Sequence, residues 1–260
     1  VVMRAADEVG CTLLEELTLL APLPVSNAVQ MRVIVGAAGA RAERPVSVYS
    51  RPEIVGALTD SDWALHAEGI VAPAPHPGTA VTESADCGHW PPADARAVDL
   101  DGIYERLEQS GYYYGPSYRG LRAVWQRGSD IFVDAALAEA EGDVTAYGLH
   151  PVLLDAVLQG VAIAADAVEN GESEPRMPFS WEHVQLHAVG AAGLRARIST
   201  EPSGSAVSIQ AVDHSGHPVI SIGSLASRPL PPIDERYPRR APRGFGARAR
   251  AAPPPPPRPP

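Results

Sequence analysis

Apolar and polar residues alternate with a period of two in two series along this chain, and this alternation constrains the fold more than any other feature. Within residues 29–37, for example, Val29, Met31 and Val33 share one face of an extended segment. Such a period is typical of antiparallel strands that bury one face. The predicted strands of the first series cover residues 16–25, 29–37, 45–50 and 63–71.

A helix with one apolar stripe interrupts the second series. Leu154, Val157 and Val161 recur at helical spacing within a predicted helix over residues 151–166. Pro151 occupies the first turn of this helix, where proline is favoured. The strands predicted around the helix cover residues 119–127, 131–138, 181–188, 194–200, 206–213 and 218–226, with a hairpin turn at 213–216.

The chain also opens within a predicted helix that ends at Gly10. Its expected apolar face consists of Val1, Val2, Ala5, Ala6 and Val9. A helix followed by four strands thus occurs twice, which predicts an α+β double hotdog: two antiparallel sheets, each wrapped around a central helix. Two strands precede the second helix and none precedes the first. By this internal comparison we expect the N-terminal hotdog to be incomplete.

Changes in composition predict the domain boundaries. We expect a truncated N-terminal hotdog over residues 1–78 and a linker rich in Pro, Gly, Thr and Ser over 79–91. The C-terminal hotdog is predicted over 92–231 and includes a short helix over 99–109. Residues 232–260 are rich in Arg and Pro and predict a disordered tail, because such a segment cannot bury apolar area.

Charge and composition exclude several function classes. The formal net charge is −10, which argues against nucleic acid and anionic membranes as main partners. No apolar run approaches the roughly 18 residues of a membrane span. We expect no signal peptide, because no basic segment followed by an apolar stretch opens the sequence. Cys11 and Cys87 do not form a disulfide framework. We therefore expect a cytoplasmic protein with two inert thiols.

Asp155 is the first candidate for chemistry, because it is the only acid in its helix before Asp166. Gln159 lies four residues further on, shares the face of Asp155 and can hydrogen-bond it. In an apolar channel the pKa of this carboxyl would rise, and a protonated carboxyl can donate a proton to a leaving hydroxyl. The residues alone are equally compatible with an exposed aspartate on the polar side of an ordinary helix.

A turn rich in Gly, Pro and aromatic residues spans 111–121 and includes Tyr114, Gly115 and Pro116. Its aromatic side chains could line an apolar channel, or the segment could be a structural turn packed on the core. His150 precedes the Asp155 helix and is interpreted as a structural residue at the helix entry.

The other histidines do not predict a metal site. His183 and His187 lie four apart in a strand pattern without the glutamate of a zinc motif. His76, His89, His214 and His217 lie in loops or turns, where we expect them to be solvated.

Several spaced motifs together resemble the dehydratase domain of bacterial modular type I polyketide synthases. The matching segments are Tyr114-Gly115-Pro116 through Leu121, His150-Pro151 through Asp155 and Gln159, and Met177-Pro178-Phe179-Ser180-Trp181. Shorter similarities lie at 63–69, 90–92 and 213–216, so the resemblance covers roughly residues 1–231. Tyr118 stands where the family usually has Phe and Met177 where Leu is usual, and we expect both changes to be tolerated.

The resemblance implies an activity and a set of site residues. Such domains remove water from a β-hydroxyacyl thioester on an acyl carrier protein and leave an α,β-unsaturated thioester. A histidine of the N-terminal hotdog takes the α-proton, and an aspartate of the C-terminal hotdog, here Asp155, protonates the departing hydroxyl. The resemblance gives Gln159 an orienting role. It implies supporting or tunnel positions for Tyr114, Gly115, Pro116, His150 and Pro151.

The resemblance also implies partners and the absence of a resident cofactor. The substrate arrives on the phosphopantetheine arm of an acyl carrier protein, and neither a metal nor an organic cofactor is expected. Neighbouring polyketide synthase domains and a second copy of the chain, in a homodimer, are the other expected partners. The implied setting is a transferase multienzyme of antibiotic biosynthesis.

This chain departs from the family at the catalytic base. The family's histidine precedes the first hotdog helix, whereas no histidine occurs here before His66, which falls in a predicted strand. Truncation, a late-starting gene model and natural degeneration each explain this departure, and the abrupt helical start favours truncation. A non-catalytic hotdog module that binds acyl chains or supports a dimer is the main alternative. A hotdog thioesterase, which would release the free acid, is a further one.

Overall fold

The computed structural model describes residues 1–23, 28–53, 63–74, 90–138, 144–169, 175–201, 204 and 206–229. Most of the predicted linker and the whole of the predicted tail therefore lie outside the described residues, as do Cys87, His76 and His89. None of the helices in these ranges has the length and apolar character needed to cross a membrane.

The described part of the N-terminal half contains one short helix and a four-stranded antiparallel arrangement. Alternate residues of its third strand, Val46, Val48 and Ser50, are buried, as the period of two predicts. The elements are α1 (Val2–Asp7), β1 (Leu13–Leu19), β2 (Val29–Val35), β3 (Arg44–Pro52) and β4 (Ala64–Ala72). Strand β3 pairs with β2 and β4, and β4 pairs with β1.

The C-terminal half surrounds one long helix with antiparallel strands. Its elements are β5 (Arg96–Ala97), α2 (Ile103–Gln109), β6 (Leu121–Arg127), β7 (Asp130–Ala136), α3 (Pro151–Glu169), β8 (Arg176–Leu186), β9 (Gly193–Thr200), β10 (Ala206–Val212) and β11 (Pro218–Pro229). Single turns of 3-10 helix lie at Pro116–Tyr118 and Val144–Ala146.

The strands of both halves form one continuous antiparallel sheet of 11 strands, in the order β2-β3-β4-β1-β8-β11-β10-β9-β7-β6-β5. Strands β1 and β8 join the halves, with Leu13 opposite Gln185 and Thr18 opposite Ser180. The two predicted sheets are thus connected edge to edge. This pairing removes one exposed edge from each half, where unpaired backbone groups would otherwise face solvent.

Helix α3 packs against β6, β7 and β9 and carries the core of the C-terminal half. Leu153, Ala156 and Val157 are fully buried on its inner face. Gly160 lies so close to β7 that an added Cβ would collide with Cγ2 of Val133. This close approach holds the segment with Asp155 firmly against the sheet.

Helix α1 differs from its prediction. Only Ala6 of the expected apolar face is fully buried, whereas Val1 is 78% exposed and Val9 is 38% exposed. The helix ends at Asp7, and hydrogen-bonded turns carry the chain to Gly10, which has a φ of 73°. Six residues make fewer than two turns, so a single stripe cannot extend over the five predicted positions.

Strand β8 begins five residues earlier than predicted, at Arg176 instead of Trp181. The additional residues include Pro178, whose missing N–H disfavours a central strand. Its partner strand β11 shifts register between Ala226 and Ser227 at this point. On the other side, β1 pairs with β8 only as far as Ser180, so Pro178 has β11 alone as a paired neighbour, at this irregularity.

Candidate active site

Asp155 lies on the first turns of α3 and is half-buried. Burial raises the pKa of its carboxyl above the ordinary value, while a hydrogen bond from Gln159 acts in the opposite direction. This placement decides against the interpretation of Asp155 as an exposed aspartate on the polar side of a helix. A partly desolvated carboxyl with a raised pKa can act as a proton donor.

Gln159 is 0% exposed, and both the nitrogen and the oxygen of its side-chain amide form hydrogen bonds. Nε2 donates to Oδ2 of Asp155 at 3.0 Å and to the carbonyl oxygen of Tyr118 at 2.9 Å. The hydroxyl of Tyr104 donates to Oε1 of Gln159 at 3.3 Å. The predicted contact between Gln159 and Asp155 is therefore present, and it engages one carboxyl oxygen.

Three tyrosines form an aromatic cluster next to this carboxyl. The rings of Tyr104 and Tyr114 meet edge to face with centroids 6.3 Å apart, and those of Tyr112 and Tyr114 stack at the same distance. Tyr112 ties the cluster to β8, because its hydroxyl donates to the carbonyl oxygen of Arg176 at 2.9 Å. Arg119 places its guanidinium 4.8 Å from the ring centroid of Tyr104.

The phenols of Tyr104 and Tyr114 are held in their neutral form. Burial raises the pKa of Tyr114, and the negative charge of Asp155 raises it further. Burial likewise raises the pKa of Tyr104. Both side chains therefore present hydroxyl groups on otherwise apolar rings beside Asp155, and Tyr104 directs its hydroxyl to Gln159.

Gly115 and Pro116 form the turn that follows the aromatic cluster. The carbonyl oxygen of Gly115 accepts from Tyr118 N at 2.9 Å, and that of Pro116 accepts from Arg119 N at 3.2 Å. Pro116 itself is exposed. The turn presents the carbonyl of Tyr118 to Gln159, and a direct tunnel-lining role for Gly115 and Pro116 stays a prediction.

His150 caps the start of α3. It is buried, its Nδ1 accepts from the backbone N–H of Val152 at 3.3 Å, and its ring packs on Tyr147 with centroids 4.8 Å apart. Pro151 follows as the exposed first residue of the helix. The geometry fits the helix-entry interpretation, because a side-chain acceptor satisfies one of the free amides of the first turn.

Replacement of His150 therefore has a specific expected cost. His150→Ala should lower the free energy of unfolding by about 1 kcal/mol, since the amide of Val152 loses its acceptor. His150→Asn should keep most of this stability because asparagine is a good N-cap. Denaturant unfolding measures both changes, and equal losses in the two variants would contradict a capping role.

Four of the other five described histidines have local partners. Ser50 Oγ and Nε2 of His66 are 2.7 Å apart, and Nδ1 of His66 is 3.2 Å from the carbonyl oxygen of Ala21. His187 contacts Ser221, and burial lowers its pKa. His214 contacts Asp134, and His217 contacts Asp213. His183 is exposed, and its backbone is left-handed with a φ of 53°.

His214 differs from the prediction of a merely solvated loop residue, because its Nε2 lies 3.2 Å from Oδ1 of Asp134. The hairpin at 213–216 brings the ring back over β7, which the sequence pattern does not show. Within the described ranges, no group of three or more His, Cys, Asp or Glu residues is arranged to hold a metal ion.

Comparison with known proteins identifies the family. The family model described as the polyketide synthase dehydratase N-terminal domain matches residues 83–235, more than half of the chain. The mycoketide-CoA synthase of Mycobacterium tuberculosis is 46% identical over 231 residues, which are 88% of this chain and 5% of that protein. Polyketide synthase GfsA of Streptomyces halstedii is 42% identical over 232 residues, 88% of this chain and 3% of that protein.

Solved structures show the same relationship. The dehydratase domain from the terminal module of the rifamycin polyketide synthase has a TM-score of 0.74 and 39% identity, over 87% of this chain and 78% of that one. A structure from work on dehydratase substrate selection in the borrelidin and fluvirucin polyketide synthases has a TM-score of 0.75 and 40% identity, over 88% and 78%.

The matched curated relatives are far longer than this chain, which spans 5% and 3% of the two named above. The solved dehydratase domains, in contrast, are covered over about three quarters of their length, and they confirm the predicted double hotdog. Together with the Asp155–Gln159 pair on the long helix and the aromatic turn beside it, these matches place the chain in one family. It belongs to the polyketide synthase dehydratase domains.

Proposed function

We propose that this chain is the acid-bearing part of a dehydratase that acts on a β-hydroxyacyl thioester carried on an acyl carrier protein, with Asp155 as the general acid. The observation that carries the proposal is the state of this carboxyl: it is half-buried, its pKa is raised, and one oxygen is bound by a buried amide. The dehydratase family of the chain supports the reaction class. Elimination needs a proton donor at the leaving hydroxyl, and Asp155 has the properties of one.

The proton balance of the proposed step is simple. Neutral Asp155 gives its proton to the β-hydroxyl, the C–O bond breaks, and water leaves. A base removes the α-proton, and the electrons of that C–H bond form the new double bond. Because Gln159 donates to Oδ2, the transferable proton resides on Oδ1, and the resulting carboxylate keeps the hydrogen bond from Gln159.

The base has no counterpart at the family position within this chain. Residues 1–65 contain no histidine, and both ring nitrogens of His66 already face Ser50 and Ala21. The proposed reaction therefore requires a histidine supplied by a dehydratase segment placed ahead of Val1.

A non-catalytic acyl-binding module is the second candidate function. It is favoured by the absence of histidine from residues 1–65 and by one relative whose name includes the word "inactive". That relative is a phenolphthiocerol synthesis polyketide synthase of Mycobacterium tuberculosis that is 42% identical over 233 residues. This alternative predicts binding of the acyl thioester without turnover. Such a module does not require Asp155 to be protonated.

A turnover assay separates the two candidates. Two proteins are compared: the chain alone, and the chain preceded by a histidine-bearing dehydratase segment. Each is incubated with a β-hydroxyacyl thioester on an acyl carrier protein, and the mass of the acyl group is measured by mass spectrometry. We expect loss of one water in the extended protein and its disappearance in Asp155→Asn. Binding without loss of water in either protein would favour the inert module, and release of free hydroxy acid would favour a thioesterase.

The partners follow from the same proposal. The substrate would arrive on the phosphopantetheine arm of the carrier protein, so no resident cofactor is needed. Neighbouring polyketide synthase domains are expected because the curated relatives are multidomain synthases. A homodimer and a cytoplasmic location complete the proposed setting.

A further inference from the structure

The amide of Gln159 has two orientations of nearly equal shape, and they have opposite consequences for Asp155. In the observed orientation Nε2 faces Oδ2 of Asp155 and Oε1 faces Tyr104. In the reversed orientation Oε1 would face the carboxyl. A neutral carboxyl could then donate its proton to Oε1, and the proton needed for the substrate would be held in an internal hydrogen bond.

Two groups from outside α3 select the observed orientation. The carbonyl oxygen of Tyr118 accepts from Nε2 at 2.9 Å, and the hydroxyl of Tyr104 donates to Oε1 at 3.3 Å. Tyr104 is the only donor that the structure places on Oε1 among the residues it describes. Reversal would place acceptor against acceptor at the carbonyl of Tyr118. At Tyr104, the phenol oxygen already faces the backbone N–H of Leu121, so the hydroxyl would have to accept a second hydrogen bond in place of the one it donates.

Tyr104 is itself firmly held. Its neighbour Ile103 and the following Leu107 are buried and fix α2 to the core. Its ring lies against Tyr114, with an interplanar angle of 72°, and under the guanidinium of Arg119 at 4.8 Å. The hydroxyl therefore has a fixed place, and burial keeps it protonated, so that it can donate to Gln159.

We propose that Tyr104 is a positioning residue that fixes the amide of Gln159 so that the acidic proton of Asp155 stays on the oxygen directed away from Gln159. The proposal rests on Asp155 being the general acid, and it adds a residue 51 positions earlier in the chain to that machinery. Tyr104 acts through Gln159 and makes no contact with substrate in this scheme.

The test uses Tyr104→Phe, which keeps the ring and removes only the hydroxyl. The readout is the titration of the Asp155 carboxyl, followed by carbon-13 NMR and assigned with Asp155→Asn. We expect the pKa of Asp155 to be higher in Tyr104→Phe than in the unchanged chain, because a reversed amide favours the neutral carboxyl. Tyr118→Phe is the matched control, since its contact with Gln159 runs through the backbone carbonyl and its titration should be unchanged.

A double-mutant cycle shows whether the effect runs through Gln159. In the Gln159→Met background, Tyr104→Phe should leave the pKa of Asp155 unchanged. A shift of equal size with and without Gln159 would overturn the proposal, because the hydroxyl would then act on Asp155 directly. An unaltered titration in Tyr104→Phe would overturn it as well.

A second measurement is independent of the Gln159 variant. The side-chain amide of Gln159 should give one set of nitrogen-15 resonances in the unchanged chain and a doubled or exchange-broadened set in Tyr104→Phe. A single sharp set in both proteins would contradict the proposal.

Turnover separates the positioning role from the proposed function itself. In a dehydrating assembly, Tyr104→Phe should lower kcat about fivefold, the equivalent of one neutral hydrogen bond, with KM nearly unchanged. If the unchanged assembly does not dehydrate, the proposed function fails, whereas the titration and amide resonances still decide the role of Tyr104. A rise in KM at constant kcat would instead assign the hydroxyl to substrate binding.

Discussion

Asp155→Asn is expected to abolish dehydration and, at neutral pH, to increase the stability of the fold. Asparagine keeps the size of the side chain and an oxygen that can accept from Gln159, but it has no acidic proton. General acid catalysis typically contributes about 10²–10⁴-fold to rate, so a loss of this size is expected in a dehydrating assembly. Enoyl product measured by mass spectrometry over a time course provides the comparison.

The effect of Asp155→Asn on stability follows from proton linkage. The folded pKa of Asp155 lies above its ordinary value of 3.8, so the folded state binds the proton more tightly than the unfolded state. The contribution of this group to the free energy of unfolding is therefore fully present below pH 3.8 and is lost as pH rises through the folded pKa. The asparagine side chain does not titrate, so the variant should be the more stable protein at neutral pH, with the advantage vanishing in acid.

Asp130→Asn provides the matched control for this change. Oδ2 of Asp130 contacts Nη2 of Arg197 at 2.8 Å, so the same substitution breaks an ion pair. We expect it to lower the free energy of unfolding by up to about 1 kcal/mol. Thermal unfolding from acid to neutral pH tests both variants. A less stable Asp155→Asn protein at neutral pH would show that the fold favours the carboxylate, contrary to a role as acid.

Gly160→Ala is expected to destabilise the fold and to displace the acid. The new Cβ would collide with Cγ2 of Val133, so α3 must move away from β7. Overpacking of this kind typically costs about 1–3 kcal/mol. Alanine gains up to about 1 kcal/mol in helix propensity over glycine. The cost of the collision should exceed the gain in helix propensity, so the free energy of unfolding should fall by up to about 2 kcal/mol.

The same displacement should reduce turnover, because Gly160 directly follows Gln159 and lies five residues after Asp155. A shift of about 1 Å at a catalytic group can cost up to about 10²-fold in rate. For stability, Gly115→Ala is the matched control, since its Cβ would meet nothing within 4 Å and its φ of −67° suits any residue. Equal free energies of unfolding for both alanine variants, measured with denaturant, would contradict the packing argument.

The sequence predicts best those features that depend on neighbours along the chain. The stripe through Leu154, Val157 and Val161 predicts α3, and the spacing of four between Asp155 and Gln159 predicts their hydrogen bond. Both follow from helix geometry alone. The alternation in β3 likewise predicts which of its residues are buried.

Contacts between distant segments are not predictable in this way. Tyr104 reaches Gln159 across 55 positions, and the sequence offers only a tyrosine beside the buried Ile103 as a signal. The pairing of β1 with β8 also escapes prediction, because an edge strand and a paired strand show the same alternation. Burial of Val1 and Val9 was wrongly predicted, since the apolar stripe of a short helix does not reveal what covers it.

The protonation of Asp155 is the physical quantity on which the account depends. The most direct measurement is the titration of its carboxyl by carbon-13 NMR in the folded chain, with the resonance identified by its loss in Asp155→Asn. We expect a midpoint above 3.8, the ordinary value for this group. A midpoint at or below that value would show a carboxyl that remains ionised, and Asp155 could not then serve as the proposed proton donor.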